Sequence, residues 1–319
     1  PGAFFDDPAA IGIFSGFGTY LKTEYLFMGG DDTLDLGLSN PCYVVPPNVC
    51  IHTTTYRQQV TLPFRFGGYH LAYQRCCRNN IIVNIVDPSN TGATYDVVVT
   101  QEALSACNSS PRFREWPPFY ICSGSPINYD NSAFDPDGDS IAYELCNPYI
   151  GGGLVNPMPT QPTNPPYTPV TWQAPYSLNN MLGGSDPLVI DPVTGMLSGT
   201  PSTLGTFVVG ICAKEYLNGN LIGITKRDFQ YTVGVCNKQV EALFLANVPS
   251  CNTSLSLFHL NASLPSNNIF QWDFGDNSPP ITAVSPVHTY PDTGSYTVML
   301  IAGIGQPCSD TLISQIDLQ

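Results

Sequence analysis

Charge is the scarcest ingredient of this sequence. Only 11% of its 319 residues are Asp, Glu, Lys or Arg, less than half of the roughly 25% usual in soluble proteins. Cations are rarer still: 11 Lys and Arg stand against 25 Asp and Glu, a formal net charge of -14. A surface so poor in positive charge repels phosphate backbones and anionic headgroups, which argues against nucleic acid or a charged membrane as partner. Long hydrophobic runs are also missing. No stretch approaches the ~18 consecutive apolar residues of a membrane-spanning helix, and no window of 11–18 residues keeps a 3.6-residue apolar period. No two cysteines have C-x-x-C spacing, so a zinc or redox motif is unsupported. The chain starts at Pro1 with no Met and no basic leader, and is expected to be a mature or trimmed portion of a longer secreted product.

The familiar catalytic signatures are absent too. His52, His70, His259 and His288 are scattered, with no H-E-x-x-H pair, and there is no G-x-S-x-G elbow, phosphate loop or dinucleotide fingerprint. His70 falls in an alternating strand pattern, where an ordinary strand position is the simpler reading. The expectation is a protein that is not an enzyme; paired carboxylates, which need no motif, leave glycoside hydrolysis open. Arg75 and Arg78 flank Cys76-Cys77; they form either an anion site or salt bridges to the chain's own carboxylates. Trp116, beside Pro117-Pro118, is either a stacking platform for sugars or proteins or a packing residue between modules.

What is present is β-structure. Bulky apolar residues alternate at Tyr95, Val97 and Val99; at Phe207, Val209 and Ile211; at Phe229, Tyr231, Val233 and Val235; at Phe270, Trp272 and Phe274; and at Tyr296, Val298 and Leu300. Successive strand side chains point to opposite faces, so this period of two buries one face and wets the other. The 30 prolines and 28 glycines cut the runs into short strands. Asn218-Gly219 between two such runs predicts a tight type I′ hairpin. A stiff Pro111–Pro118 connector and the strand ending at Cys236 place boundaries at 1–117, 118–237 and 238–319, each near the size of an immunoglobulin-like sandwich. Residues 148–169, rich in Pro, Gly, Asn and Thr, read as a long loop inside the second module. With 43% hydrophobic residues each module has the means to bury a core. The uncharged polar surface suits a protein outside the cell.

Two motifs carry a family resemblance. Trp272-Asp273-Phe274-Gly275-Asp276-Asn277-Ser278, followed by Val287-His288-Thr289-Tyr290 and Gly294-Ser295-Tyr296-Thr297-Val298, closely resembles the W-D-F-G-D-G-S … H-x-Y … G-x-Y-x-V pattern of PKD domains. Asn277 stands where many members carry Gly, and Asn also accepts a left-handed turn. Asp273 and Asp276 either cap the turn through backbone N–H groups or bind Ca²⁺. Upstream, Phe134-Asp135-Pro136-Asp137-Gly138-Asp139-Ser140, then Asp191-Pro192-Val193-Thr194-Gly195-Met196-Leu197-Ser198-Gly199-Thr200-Pro201 and Gly205-Thr206-Phe207, resemble cadherin-like, immunoglobulin-like modules of bacterial surface proteins. Asp135, Asp137 and Asp139 offer oxygens to Ca²⁺ in the manner of a D-x-D-x-D loop, without the bidentate Glu at loop position twelve; a solvated turn is the alternative. Together with Tyr73-Gln74-Arg75-Cys76-Cys77-Arg78-Asn79-Asn80 and Asn108-Ser109-Ser110-Pro111-Arg112-Phe113, the chain resembles the N-terminal region of gliding-motility-associated surface proteins exported by type IX secretion. Residues 1–39 match no pattern.

The resemblance implies an all-β chain of tandem immunoglobulin-like β-sandwich modules, the last a PKD domain, working as an extracellular structural or adhesive protein of a bacterial surface. It would be a repeat of a large adhesin or a subunit of a surface filament, with itself or neighbouring proteins and glycans as partners. The alternative is a glycan- or protein-binding accessory region of a secreted hydrolase. The 11 dispersed cysteines then read as disulfides of an oxidising compartment. Spacing does not determine connectivity. Position within modules suggests Cys251–Cys308, Cys122–Cys236, Cys146–Cys212 and Cys42–Cys50, leaving one bridge and one thiol among Cys76, Cys77 and Cys107. In the bacteria so implied, Thr33, Ser140 and Thr311 fit a D-[ST]-aliphatic O-glycosylation pattern. Asn108, Asn252 and Asn261 start N-x-[ST] triplets that matter only in a eukaryotic host.

Overall fold

A computed structural model describes residues 5–34, 42–44, 51–246, 255–265 and 268–318. Regular structure is almost entirely β, and the α-helix among the described residues is Gln101–Ala106. Six residues are too few to print a period in the sequence. The helix is started by Thr100, whose hydroxyl accepts the Ala103 N–H at 3.1 Å. The chain forms two compact units: residues 1–39 with 47–235, and residues 40–46 with 236–319. Both are immunoglobulin-like β-sandwiches.

The first unit is built on an eight-stranded sheet. Its order is Ser140–Leu145, Gly205–Leu217, Asn220–Gly234, Ala93–Val99, Tyr69–Arg75, Ala9–Ser15 and Tyr20–Leu26, with Tyr120–Cys122 parallel to the end of Asn220–Gly234. The central hairpin turns at Asn218 and Gly219, with φ of 50° and 81°, the positive pair that a type I′ turn demands. Ile127–Asp130, Met196–Gly199 and Val189–Ile190 form the facing layer. Ile127, Ile190 and Leu197 from that layer meet Phe207, Val209, Ile211 and Tyr231 from the large sheet in one core. The second face of Gly205–Leu217, expected to be wet, is buried as well, because loop residues Ile82, Ile85 and Val170 pack on Val208.

The expected boundary at 117/118 is absent. The Asn220–Gly234 strand has 15 residues, long enough to pair with Val98 and Val99 at its start and with Tyr120–Cys122 at its end. Residues 1–117 and 118–237 therefore share one sheet. The segment without a sequence resemblance contributes to it too: Ala9–Ser15 and Tyr20–Leu26 form its outer hairpin.

The second unit faces Phe244–Ala246, Ser256–Asn261 and Val287–Thr289 against Phe270–Asp273, Gly294–Ala302 and Asp310–Leu318. Alternation holds here as read from the sequence: Phe270, Trp272, Val298 and Leu300 are buried while Gln271, Thr297 and Met299 are not. Trp272 donates its indole N–H to the Ala283 carbonyl at 3.0 Å, so its one polar atom is satisfied inside an aromatic core with Phe274 and Tyr290.

This unit is not closed on 238–319 alone. Tyr43–Val44 pairs antiparallel with Asn237–Lys238, and the Cys42 carbonyl accepts the Gln239 N–H at 2.8 Å. That pairing carries Cys42 to Cys308, with Cα atoms 5.2 Å apart. Two of the suggested bridges are thereby replaced: Cys308 does not pair with Cys251, nor Cys42 with Cys50. A bridge over a separation of 266 residues follows from strand pairing that spacing cannot reveal. Cys50 and Cys251 lie outside the described residues. Cys146 is bonded to Cys212, and Cys122 and Cys236 are each in a disulfide. Cys76 bridges to its neighbour Cys77 across a cis peptide, and Cys107 is a free, exposed thiol.

Candidate functional site

The acidic loop between Ala133–Phe134 and Ser140–Leu145 is the most chemically loaded place in the first unit. Asp135 organises it. Its Oδ1 accepts the N–H groups of Asp137 at 2.9 Å and Asp139 at 3.1 Å, and its carbonyl accepts the Gly138 N–H at 3.3 Å. Gly138 has φ +87°, which lets the chain reverse without a Cβ clash. Asp137 does not join its neighbours: its carboxylate accepts the Ser109 N–H at 2.6 Å. The D-x-D-x-D set read from the sequence is thus split.

A different carboxylate takes the third place. Carboxylate oxygens of Asp135, Asp139 and Glu215 all lie within 4.8 Å of one another. Glu215 stands on the Gly205–Leu217 strand, between Ile141 on one side and Gly223 on the other. A Cβ at Gly223 would sit 2.5 Å from Glu215 Oε2, so glycine there makes room for the carboxylate. Asn108 donates to Glu215 Oε1. Glu215 Oε2 and Asp135 Oδ2 are buried without a partner, and Glu215 is 0% exposed. Burial pushes the Glu215 carboxyl up to about 7; the Asn108 hydrogen bond opposes this, and Asp135 and Asp139 add to it. Desolvation raises Asp139 as well, with Asp135 and Asp137 contributing. One signal in the sequence points to Glu215: it continues the phase of Phe207, Val209, Ile211 and Ala213, which places it on the inward face.

The acids of the second unit behave differently. Asp273 Oδ1 accepts the Gly275 N–H at 2.9 Å. Asp276 Oδ1 accepts the Ser278 N–H at 3.0 Å and hydroxyl at 2.6 Å, and its Oδ2 meets His288 Nε2 at 2.7 Å. The His288 ring stacks on Phe274, centroids 3.8 Å apart. Burial alone would raise Asp276, but the Ser278 and His288 hydrogen bonds outweigh it and hold the carboxyl down to about 2. Of the two readings of Asp273 and Asp276, the hydrogen bonds are those of turn capping. His259 lies fully buried among Phe244, Trp272 and Phe274, and burial lowers it to about 4, so it is a neutral core residue.

The remaining candidates fall apart spatially. Arg78 makes a bidentate pair with Asp228 at 2.5 and 2.8 Å, and Arg75 reaches Asp6 at 3.4 Å, which is the salt-bridge reading. Trp116 is exposed. Thr33, Ser140 and Thr311 are all exposed, as a modification acceptor requires. A cleft of about 520 Å³ opens beside Gln74, Gly152, Asn156, Gln161, Thr163 and Tyr167. It has no counterpart in the sequence reading, because its walls come from the Pro-rich 148–169 stretch folded against the Tyr69–Arg75 strand.

With this geometry in place, comparison with known proteins is informative for one unit. The PKD1 domain of Vibrio anguillarum Epp is similar at 22% identity, covering 26% of this chain and 96% of that one, with a TM-score of 0.23. The amphioxus IgVJ-C2 molecule is similar at 12% identity, covering 62% of this chain and 99% of that one, with a TM-score of 0.20. Both scores are too low to bear on function. No curated protein matches the chain. A family model described as PKD domain matches residues 245–316, and the second sandwich is accordingly a PKD domain.

Proposed function

We propose that this chain is a non-enzymatic, extracellular structural or adhesive protein of the cell surface, and that it assembles through the edge of its large sheet. The observation that carries the reading is the Tyr20–Leu26 strand. It ends the sheet, so one row of its backbone N–H and C=O groups has no neighbouring strand among the described residues. Residues of one face beside that edge are apolar and exposed: Leu21 at 36%, Tyr25 at 48% and, just past the strand, Phe27 at 68%. Phe17, in the turn that leads into this strand, is exposed as well and meets the exposed Phe66, ring centroids 6.0 Å apart. An open, apolar edge is a template for adding a strand from another chain. The PKD domain and the disulfides support the extracellular placement.

The finer reading is a subunit of a surface filament or one repeat of a large adhesin, exported by type IX secretion in a gliding bacterium. It rests on the motif resemblance alone. Electron microscopy and sedimentation velocity test the assembly. Elongated or polymeric material that shortens to single particles in Leu21→Lys/Tyr25→Lys supports it. Compact monomers at high concentration would sink it. A second reading, a glycan-binding region attached to a hydrolase, is favoured by the amide-, hydroxyl- and tyrosine-lined cleft at Gln74, Gln161 and Tyr167; glycan-array binding without self-association selects it.

A further inference from the structure

We propose that Asp135, Asp139 and Glu215 form a binding site for one Ca²⁺ ion, in which the loop supplies two carboxylates and the neighbouring strand supplies the buried third. Three observations converge on it. The first is the donor set: carboxylate oxygens from two separate segments within 4.8 Å of one another, with no nitrogen or sulfur among them. All-oxygen donors select hard cations over zinc or copper.

The second observation is independent of the clustering. Glu215 is wholly buried on the inward face of its strand, and its Oε2 has no hydrogen-bond partner. Asp135 Oδ2 is in the same condition. Buried polar atoms are almost always satisfied, and an orphan carboxylate oxygen asks for an unseen partner. In both residues the other oxygen is already committed, Asp135 Oδ1 to two backbone N–H groups and Glu215 Oε1 to the Asn108 amide. What remains is one oxygen of each, and these two meet one another, a contact that only a shared proton or a cation can satisfy.

The third observation is the missing counterion. Among the described residues, none of the three carboxylates forms a salt bridge. The cations on the Glu215 strand and on the adjoining Asn220–Gly234 strand are spent elsewhere, Lys214 on Glu144, Lys226 on Asp96, and Arg227 on Asn131 and the Glu115 carbonyl. Negative groups held together in a poorly solvated place without a cation oppose the fold; a divalent ion reverses that sign. Ca²⁺ fits better than Mg²⁺ because the loop side is partly open to water, and Ca²⁺ tolerates an irregular shell completed by water. Glycine at position 223 belongs to the same design, since any side chain there would push Glu215 off its place.

The inference does not depend on assembly or adhesion. Its test is calcium titration of the intact chain by calorimetry, alongside thermal unfolding in Ca²⁺, Mg²⁺ and EDTA. The expected result is one saturable Ca²⁺ per chain, a higher Tm in Ca²⁺ than in EDTA, and a smaller shift with Mg²⁺. Glu215→Gln and, on the exposed loop, Asp139→Asn should each weaken binding by about tenfold or more, whereas Asp276→Asn, in the closed turn of the PKD domain, should leave it unchanged. Glu215→Gln should also melt above the wild type in EDTA, a readout available even when binding is lost. Absence of heat and of any Tm shift at millimolar Ca²⁺ overturns the proposal, as does wild-type affinity in both Glu215→Gln and Asp139→Asn. An equal response to Mg²⁺ overturns the choice of ion.

Discussion

The two units each carry an acidic turn before or after a strand, and the turns look alike until their partners are placed. In the PKD domain, Asp276 is closed off: Ser278 takes one oxygen, His288 the other, and its carboxyl sits at about 2. In the first unit, one oxygen of Asp135 lies among the carboxylates of Asp139 and the buried Glu215, whose carboxyl sits at about 7. Similar local chemistry is therefore finished internally in one place and left open in the other. The difference lies in what the neighbouring strand presents, an imidazole stacked on Phe274 or a third carboxylate. An acidic turn by itself says little about metal binding; the side chain facing it decides.

The contrast breaks most severely if the closed turn loses its foundation. Trp272→Ala empties the centre of the PKD core beneath it and should cost about 3–5 kcal/mol, read as a lower urea midpoint by circular dichroism. Next comes the strand that presents Glu215. Cys212 lies three residues before it and is bonded to Cys146; the Cys146→Ser/Cys212→Ser pair should lose about 2–4 kcal/mol in the same measurement.

Acid sharpens the contrast further. The folded-state pKa of Asp276 lies below the unfolded value of about 3.9, so its contribution is full above that pH. It should be lost as pH falls from about 4 through about 2, amounting to about 1 kcal/mol after solvent screening. Asp276→Asn should flatten that part of the stability–pH curve, and an unchanged acid slope would discredit the pairing with His288. The smallest effects concern the turn residues. Gly138 and Asn277 both have positive φ, 87° and 66°. Gly138→Ala and Asn277→Ala should each cost about 1 kcal/mol, while Asn277→Gly should be neutral or slightly stabilising. Unequal costs for the two alanine variants would show that the turns differ in backbone as well as in partners.

Much of this molecule was legible from residue order. The alternation of Phe270, Trp272 and Phe274 with polar neighbours is a local consequence of strand geometry, so it predicts the buried face wherever the strand ends up. Asn218-Gly219 names its own turn for the same reason. The boundary at 117/118 was not legible, because it depends on how far the Asn220–Gly234 strand reaches along its neighbours. The metal candidates were half legible: Asp135 and Asp139 stand in a recognisable loop, Asp137 is diverted by Ser109, and Glu215 stands 76 residues further along than Asp139.

Residue order alone determined the β-sandwich character, the acidic, cation-poor surface and the PKD pattern, since each follows from side-chain period, composition or closely spaced motifs. Tertiary structure alone decided the Cys42–Cys308 bridge, the continuity of the large sheet and the meeting of Glu215 with the acidic loop. The physical reason is that hydrogen-bonded strands bring together residues whose separation along the chain carries no energetic information about their distance in space.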